Sequence, residues 1–134
     1  MELRYFKPYE FMMDGTPVFS KMDDNFLRKL DECRHQCGVS MSISSSYRTK
    51  QKNASVGGSP ASLHLQGRAV DILVSSGIER AKVIKAALGL GLSVGIMENA
   101  VHLDDRQDQI IFHYYDKYIL KSKVSKQIAK SLSK

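Results

Sequence analysis

Ser62–Ile72 reads SLHLQGRAVDI, and its last part runs on as RAVDILV over 68–74. That second stretch is rich in β-branched residues and predicts a strand. Val70, Ile72 and Val74 fall on one face, and Ala69, Asp71 and Leu73 on the other. A carboxylate on a half-buried strand is costly unless it is paired. Asp71 therefore calls for a cation, either an arginine or lysine or a metal ion.

Further along, AVHLDD (100–105) breaks a second apolar strand in the same way. Val101 and Leu103 share one face, while His102 and Asp104 share the other. With His64, seven residues before Asp71, the chain offers two histidines and one aspartate from a loop and two strands. Three protein ligands with a fourth position left to water is the arrangement of catalytic zinc, whereas closed structural sites use four ligands, usually with cysteine. Residue types alone leave commoner readings open. These are a core histidine bonded to a carbonyl, and Asp71 paired with Arg48 or Arg68.

The remaining elements follow from pattern. Residues 1–20, with Pro8, Gly15 and Pro17, read as an extended, turn-like segment that wraps the domain. Ser20 is the expected cap of a helix from Lys21 to Cys37, stopped by Gly38, with Phe26, Leu30, Cys33 and Cys37 on its apolar stripe. VSMSISS (39–45) alternates as a strand, and YRTKQKNASVGGSPAS (47–62) reads as a polar loop. A helix over 77–91 is expected to bury Ile78, Ala81, Ile84 and Leu88. LSVGIM and AVHLDD are two short strands joined around Glu98 and Asn99, and QIIFHYY (109–115) is one more. Short strands mixed with helices predict a single-domain α+β fold with a small, mostly antiparallel sheet flanked by helices. The domain is expected over 1–115.

Composition bounds the chemistry. With 134 residues, 43% hydrophobic and 25% charged, the chain has the length and make-up of one globular domain. Cys33 and Cys37 lack a second pair, so they read as buried thiols suited to a reducing compartment. MELRYFKPYEF has no continuous apolar run, and no eighteen apolar residues follow one another anywhere. The expectation is synthesis in the cytoplasm, with no signal peptide or membrane span. Five of the six net positive charges lie in residues 116–134, where six lysines face one acid. Leu120, Val124, Ile128 and Leu132 recur every four residues there, which predicts a basic amphipathic C-terminal helix. It is expected either to dock on the domain or to meet an anionic polymer or bilayer. Nucleic acid is not an expected partner, since the segment has no arginine and the chain no recognisable binding module.

SLHLQGRAVDI resembles the S-x-H-x-x-G-x-A-x-D signature of the zinc D-Ala-D-Ala carboxypeptidase family. That family includes VanX dipeptidases and phage L-alanyl-D-glutamate endopeptidases, with the hedgehog signalling domain as a fold relative. ISSSYRTKQKNASVGGSPAS resembles its S-x-Y-R segment followed by Asn and a Gly-Gly loop, and VHLDDR its late H-x-D-x-R strand. The likeness spans about Asp23 to Arg106. It implies a metallopeptidase with one zinc ion per chain, held by His64, Asp71 and His102. It further implies that Arg48 polarises the scissile carbonyl, with Tyr47 and Ser62 beside the substrate. The general base departs from the family pattern. Many relatives carry an acid three residues before the last histidine ligand, where this chain has Asn99. Asp104 is the first candidate and Glu98 the second, and Asp104 could equally orient His102. Arg48 could instead pair with Asp71 or Asp104. His113 is the rival third ligand, read here as a packed strand histidine, and His35 as a surface residue. The implied substrate is a peptidoglycan stem peptide, cut beside a D-residue after a phage-type release to the cell wall. The alternative is a catalytically silent zinc-binding recognition domain.

Overall fold

A computed structural model describes residues 1–114 of the chain. The amphipathic helix expected over 116–134 lies outside the described residues. The N-terminal segment wraps the domain through a 3-10 turn (Pro8–Glu10), a short ribbon of β1 (Met12–Met13) and β2 (Thr16–Pro17), and a second 3-10 turn (Phe19–Lys21). Phe6, Phe11 and Val18 anchor it by reaching the core. The backbone N–H groups of Arg4 and Tyr5 each donate to the Asp31 carboxylate at 2.9 Å, tying the segment to the helix that follows.

That helix, α1 (Asp24–Cys37), begins three residues later than the sequence predicts, and its cap is Asp23 rather than Ser20. Asp23 Oδ2 accepts from the Phe26 N–H at 3.0 Å, because Ser20 is held in the preceding 3-10 turn. Phe26, Leu27, Leu30, Cys33 and Cys37 form its buried stripe, and Gly38 ends it in the left-handed region. Both cysteines are free and buried. Burial, then the charge of neighbouring Cys37, pushes the Cys33 thiol up to about 12.

The main sheet holds β3 (Ser42–Ser45), β4 (Ala69–Leu73), β5 (Ser93–Ile96), β6 (Ala100–Asp104) and β7 (Ile111–His113) in the order β3-β4-β6-β5-β7. All pairs are antiparallel except β5 with β7. Between β3 and β4 runs a stretch expected to be an irregular loop. It contains a short helix, α2 (Lys50–Ser55), whose start is fixed by Thr49 Oγ1 accepting from Lys52 N–H. Between β4 and β5 lies α3 (Gly77–Gly89).

Val70, Ile72, Val94, Val101 and Leu103 point to the core shared with α1 and α3. Each such burial is worth about 1.5–3 kcal/mol, which seats the helices on that face of the sheet. The face that α3 buries differs from the expected one. Val83, Ala86 and Ala87 are buried, Ile84 and Leu88 flank them, and Ile78 is 71% exposed. Two apolar stripes fit the helical period here, and the smaller side chains allow the closer approach to sheet and α1. The opposite face of the sheet carries Asp71, His102 and Asp104, and there the site is built.

Candidate metal centre

Strand register brings the first two groups together. Asp71 on β4 is the cross-strand partner of His102 on β6, which leaves their side chains adjacent on one face. His64 arrives from a 3-10 helix, Leu63–Gln66, whose cap is Ser62: its Oγ accepts from the His64 N–H at 3.2 Å. Gly67 ends that turn with φ +67, and a Cβ there would lie 2.2 Å from the Lys21 carbonyl oxygen. Only glycine fits both the left-handed conformation and that close approach, so Gly67 swings the chain from His64 into β4.

Three donor atoms converge. His64 Nε2 lies 3.2 Å and His102 Nδ1 3.0 Å from Asp71 Oδ1, and each of the three residues is at most 4% exposed. All three ligand atoms lie within 4.8 Å of one another. The outer nitrogens are fixed as well. His64 Nδ1 donates to the Ser46 carbonyl at 2.6 Å, and His102 Nε2 faces Asp104 Oδ2 at 2.7 Å. A carbonyl has no proton to give, so a neutral His64 carries its one proton on Nδ1, leaving the Nε2 lone pair directed at the carboxylate. Asp104 places the His102 proton on Nε2 in the same manner. Two imidazole lone pairs and a carboxylate oxygen aimed at one point repel each other unless a cation stands between them. The donor set therefore fits a divalent ion that takes N and O ligands.

The family model for Peptidase M15 matches residues 4–104. The chain belongs to the M15 peptidase family. Its members are zinc-dependent metallopeptidases, and the three convergent donors form a buried cluster able to hold a metal ion. No curated protein matches the chain significantly.

Electrostatics in this M15 peptidase are arranged around two buried aspartates. Burial pushes the Asp71 carboxyl up, but in the metal-free chain hydrogen bonds from the inner nitrogens of His102 and His64 when those rings are protonated, with the charge the proton brings, outweigh it and hold it well below the usual range. Asp104 is fully buried, and there the Arg106 and His102 hydrogen bonds overcome the same penalty. His102 is pushed down by its own burial and up by Asp104 and Asp71, with a net rise.

Arg48 stands beside the ligands as a paired group. Its Nη2 donates to Asp71 Oδ2 at 3.1 Å, Nε to Ser45 Oγ at 3.0 Å, and Nη1 to Asn53 Oδ1 at 3.2 Å. Of its two expected acidic partners, Asp71 is the one it meets; Asp104 is clamped instead by Arg106 through Nε, Nη2 and backbone N–H. Arg68 bonds Asp105 rather than Asp71. Tyr47 is half-buried and packs against the core. Glu98 lies exposed on the β5–β6 turn with Asn99, four residues from His102 along the chain. His113, expected to be packed, is exposed on β7, because that strand sits at the edge of the sheet. His35 is on the surface as expected and bonds the Tyr5 hydroxyl.

Two contributors, the Ser46 carbonyl and Phe112, escaped the sequence reading of the site, and two more, Asn53 and Arg106, lay in the quoted motifs without a role assigned to them. None of the four carries a signal in alternation. Phe112 packs edge-on against His102 with ring centroids 5.4 Å apart. Gly95, opposite His102 on β5, makes room for it: a Cβ there would lie 2.7 Å from the Phe112 ring.

Proposed function

We propose that this M15 peptidase holds one zinc ion through His64 Nε2, Asp71 Oδ1 and His102 Nδ1 and hydrolyses an amide bond beside a D-residue in the peptidoglycan stem peptide. The convergence of three buried donors, with both histidines fixed from behind, carries the reading. Zinc, when bound, supplies a Lewis acid that polarises a carbonyl and lowers the pKa of a water molecule. The chain's own residues set the stage. Arg48 occupies Asp71 Oδ2 and so leaves Oδ1 to face the ligand point; its charge also favours a developing oxyanion nearby. Ser62 and Tyr47 shape the approach to His64 and Arg48. Asp104, ionised and shared between His102 and Arg106, orients the ligand ring. The six lysines of residues 116–134 attach the enzyme to the anionic wall polymer or the membrane surface, and it works at the wall after release, as phage-type lytic enzymes do.

One observation favours a second reading, a recognition domain that keeps the metal without turnover. Asp104 has both oxygens bonded and Glu98 sits out on the hairpin turn, so neither offers an open carboxylate beside the ligands. Mass spectrometry of peptidoglycan incubated with the protein separates the two. New fragments that disappear with His64→Ala and with chelator establish the peptidase, and their masses identify the bond. Intact peptidoglycan from protein that holds zinc supports the recognition domain.

A further inference from the structure

A cleft of about 380 Å³ opens beside the ligand set, lined by Ser59, Ala61, Ser62, Leu63, Arg106 and Phe112. Two of its lining residues touch the histidines. Ser62 caps the turn that carries His64, and Phe112 packs on the His102 ring. A substrate whose scissile bond lies at the ligand point can place a neighbouring residue there.

Among the described residues the cleft has a single charged side chain. Ala61, Leu63 and Phe112 make apolar walls, two serines add hydroxyls, and Arg106 supplies the charge. The arginine is held in place by its Nε and Nη2 bonds to Asp104 and by lying over the Phe112 ring, 5.0 Å from its centroid. Its Nη1 makes no hydrogen bond among the described residues, and the side chain is 36% exposed. A guanidinium fixed along one edge and open at the other is pre-organised for a planar acceptor, with little further entropy lost on binding. A single open guanidinium end, with two serine hydroxyls and no other charge among the described lining residues, suits one carboxylate. A polyphosphate chain would want several cations.

We infer that Arg106 reads a free carboxylate on the residue next to the scissile bond, so that this site takes acidic peptides in preference to their amides. The inference rests on the peptidase reading for the location of the scissile bond. Arg106 thus has two partners: Asp104 behind it and the substrate carboxylate in front.

The test uses a stem pentapeptide in four forms, with carboxylate or carboxamide at the D-glutamyl α-carboxyl and at the C terminus. Two quantities are read: kcat/KM of the zinc-loaded full chain, and Kd for the metal-free chain, where no cleavage intervenes. The full chain should favour one acid form over its amide by roughly tenfold or more. Arg106→Gln should bring that ratio close to one. Because Arg106→Gln also releases Asp104, absolute rates will fall, but a purely structural role would lower acid and amide alike. Asp104→Asn, which keeps Arg106, should retain the preference. Equal handling of acid and amide by a chain that cleaves overturns the inference and leaves the peptidase reading intact. Acid preference in binding without cleavage, lost in Arg106→Gln, overturns the peptidase reading and keeps Arg106 as the carboxylate reader, with no scissile bond beside it. Neither binding nor cleavage overturns both.

Discussion

Asp104 Oδ2 holds His102 Nε2 at 2.7 Å, on the ring nitrogen that points away from Asp71. That placement makes Asp104 an orienting group, and it can be told from a general base. Asp104→Asn should weaken zinc binding by about 10- to 100-fold, the usual cost of losing such a partner. Competition with a chromophoric chelator measures this. Unchanged zinc affinity with turnover abolished would instead make Asp104 the proton acceptor.

Zinc-free and zinc-loaded protein should respond to pH in opposite directions. The folded chain raises His102 above its ordinary 6.5. The stability this lends the zinc-free protein is complete below that value and is lost as pH rises through the raised one. Zinc must displace the same proton, so its contribution grows as pH rises. Thermal unfolding from pH 6 to 9, with and without zinc, should show diverging midpoints. Parallel curves would mean that the metal does not compete for His102.

Gly95→Ala should destabilise the fold by about 1–3 kcal/mol, although alanine costs a strand less than glycine in entropy. The new Cβ would meet the Phe112 ring at 2.7 Å and the His102 Cβ at 3.0 Å, so packing outweighs propensity. Urea unfolding measures it. A neutral or stabilising result would show that Phe112 can move aside without cost.

Asn53 links the cleft wall to the ligands. Its Nδ2 donates to the Ser59 carbonyl at 2.8 Å and its Oδ1 accepts from Arg48, which in turn holds Asp71. Asn53→Ala should raise amide hydrogen exchange across Gly57–Ser62 and lower zinc affinity together. Faster exchange with zinc affinity unchanged would confine Asn53 to the loop.

The central pair of the site was legible because alternation exposes intruders. Asp71 and His102 each interrupt an apolar strand, and two such interruptions on neighbouring antiparallel strands face each other only in one register. The fold class followed from the same alternation. The start of α1 was misplaced because Ser20 and Asp23 are both good caps, and tertiary packing of the 3-10 turn chose between them. The buried face of α3 was hidden by two competing stripes of equal period. Arg106 could not be ranked from sequence, since its bond to Asp104 depends on how the chain turns after β6. His113 misled because an aromatic strand at a sheet edge shares its composition with one at the centre.

X-ray absorption at the zinc edge of the loaded protein tests the central claim most directly. Two imidazoles and one carboxylate should give only nitrogen and oxygen neighbours at about 2.0–2.2 Å. His64→Ala and His102→Ala should each lose the bound metal while Cys33→Ala keeps it. A sulfur shell at about 2.3 Å, or full zinc occupancy after loss of either histidine, would contradict the His64–Asp71–His102 centre.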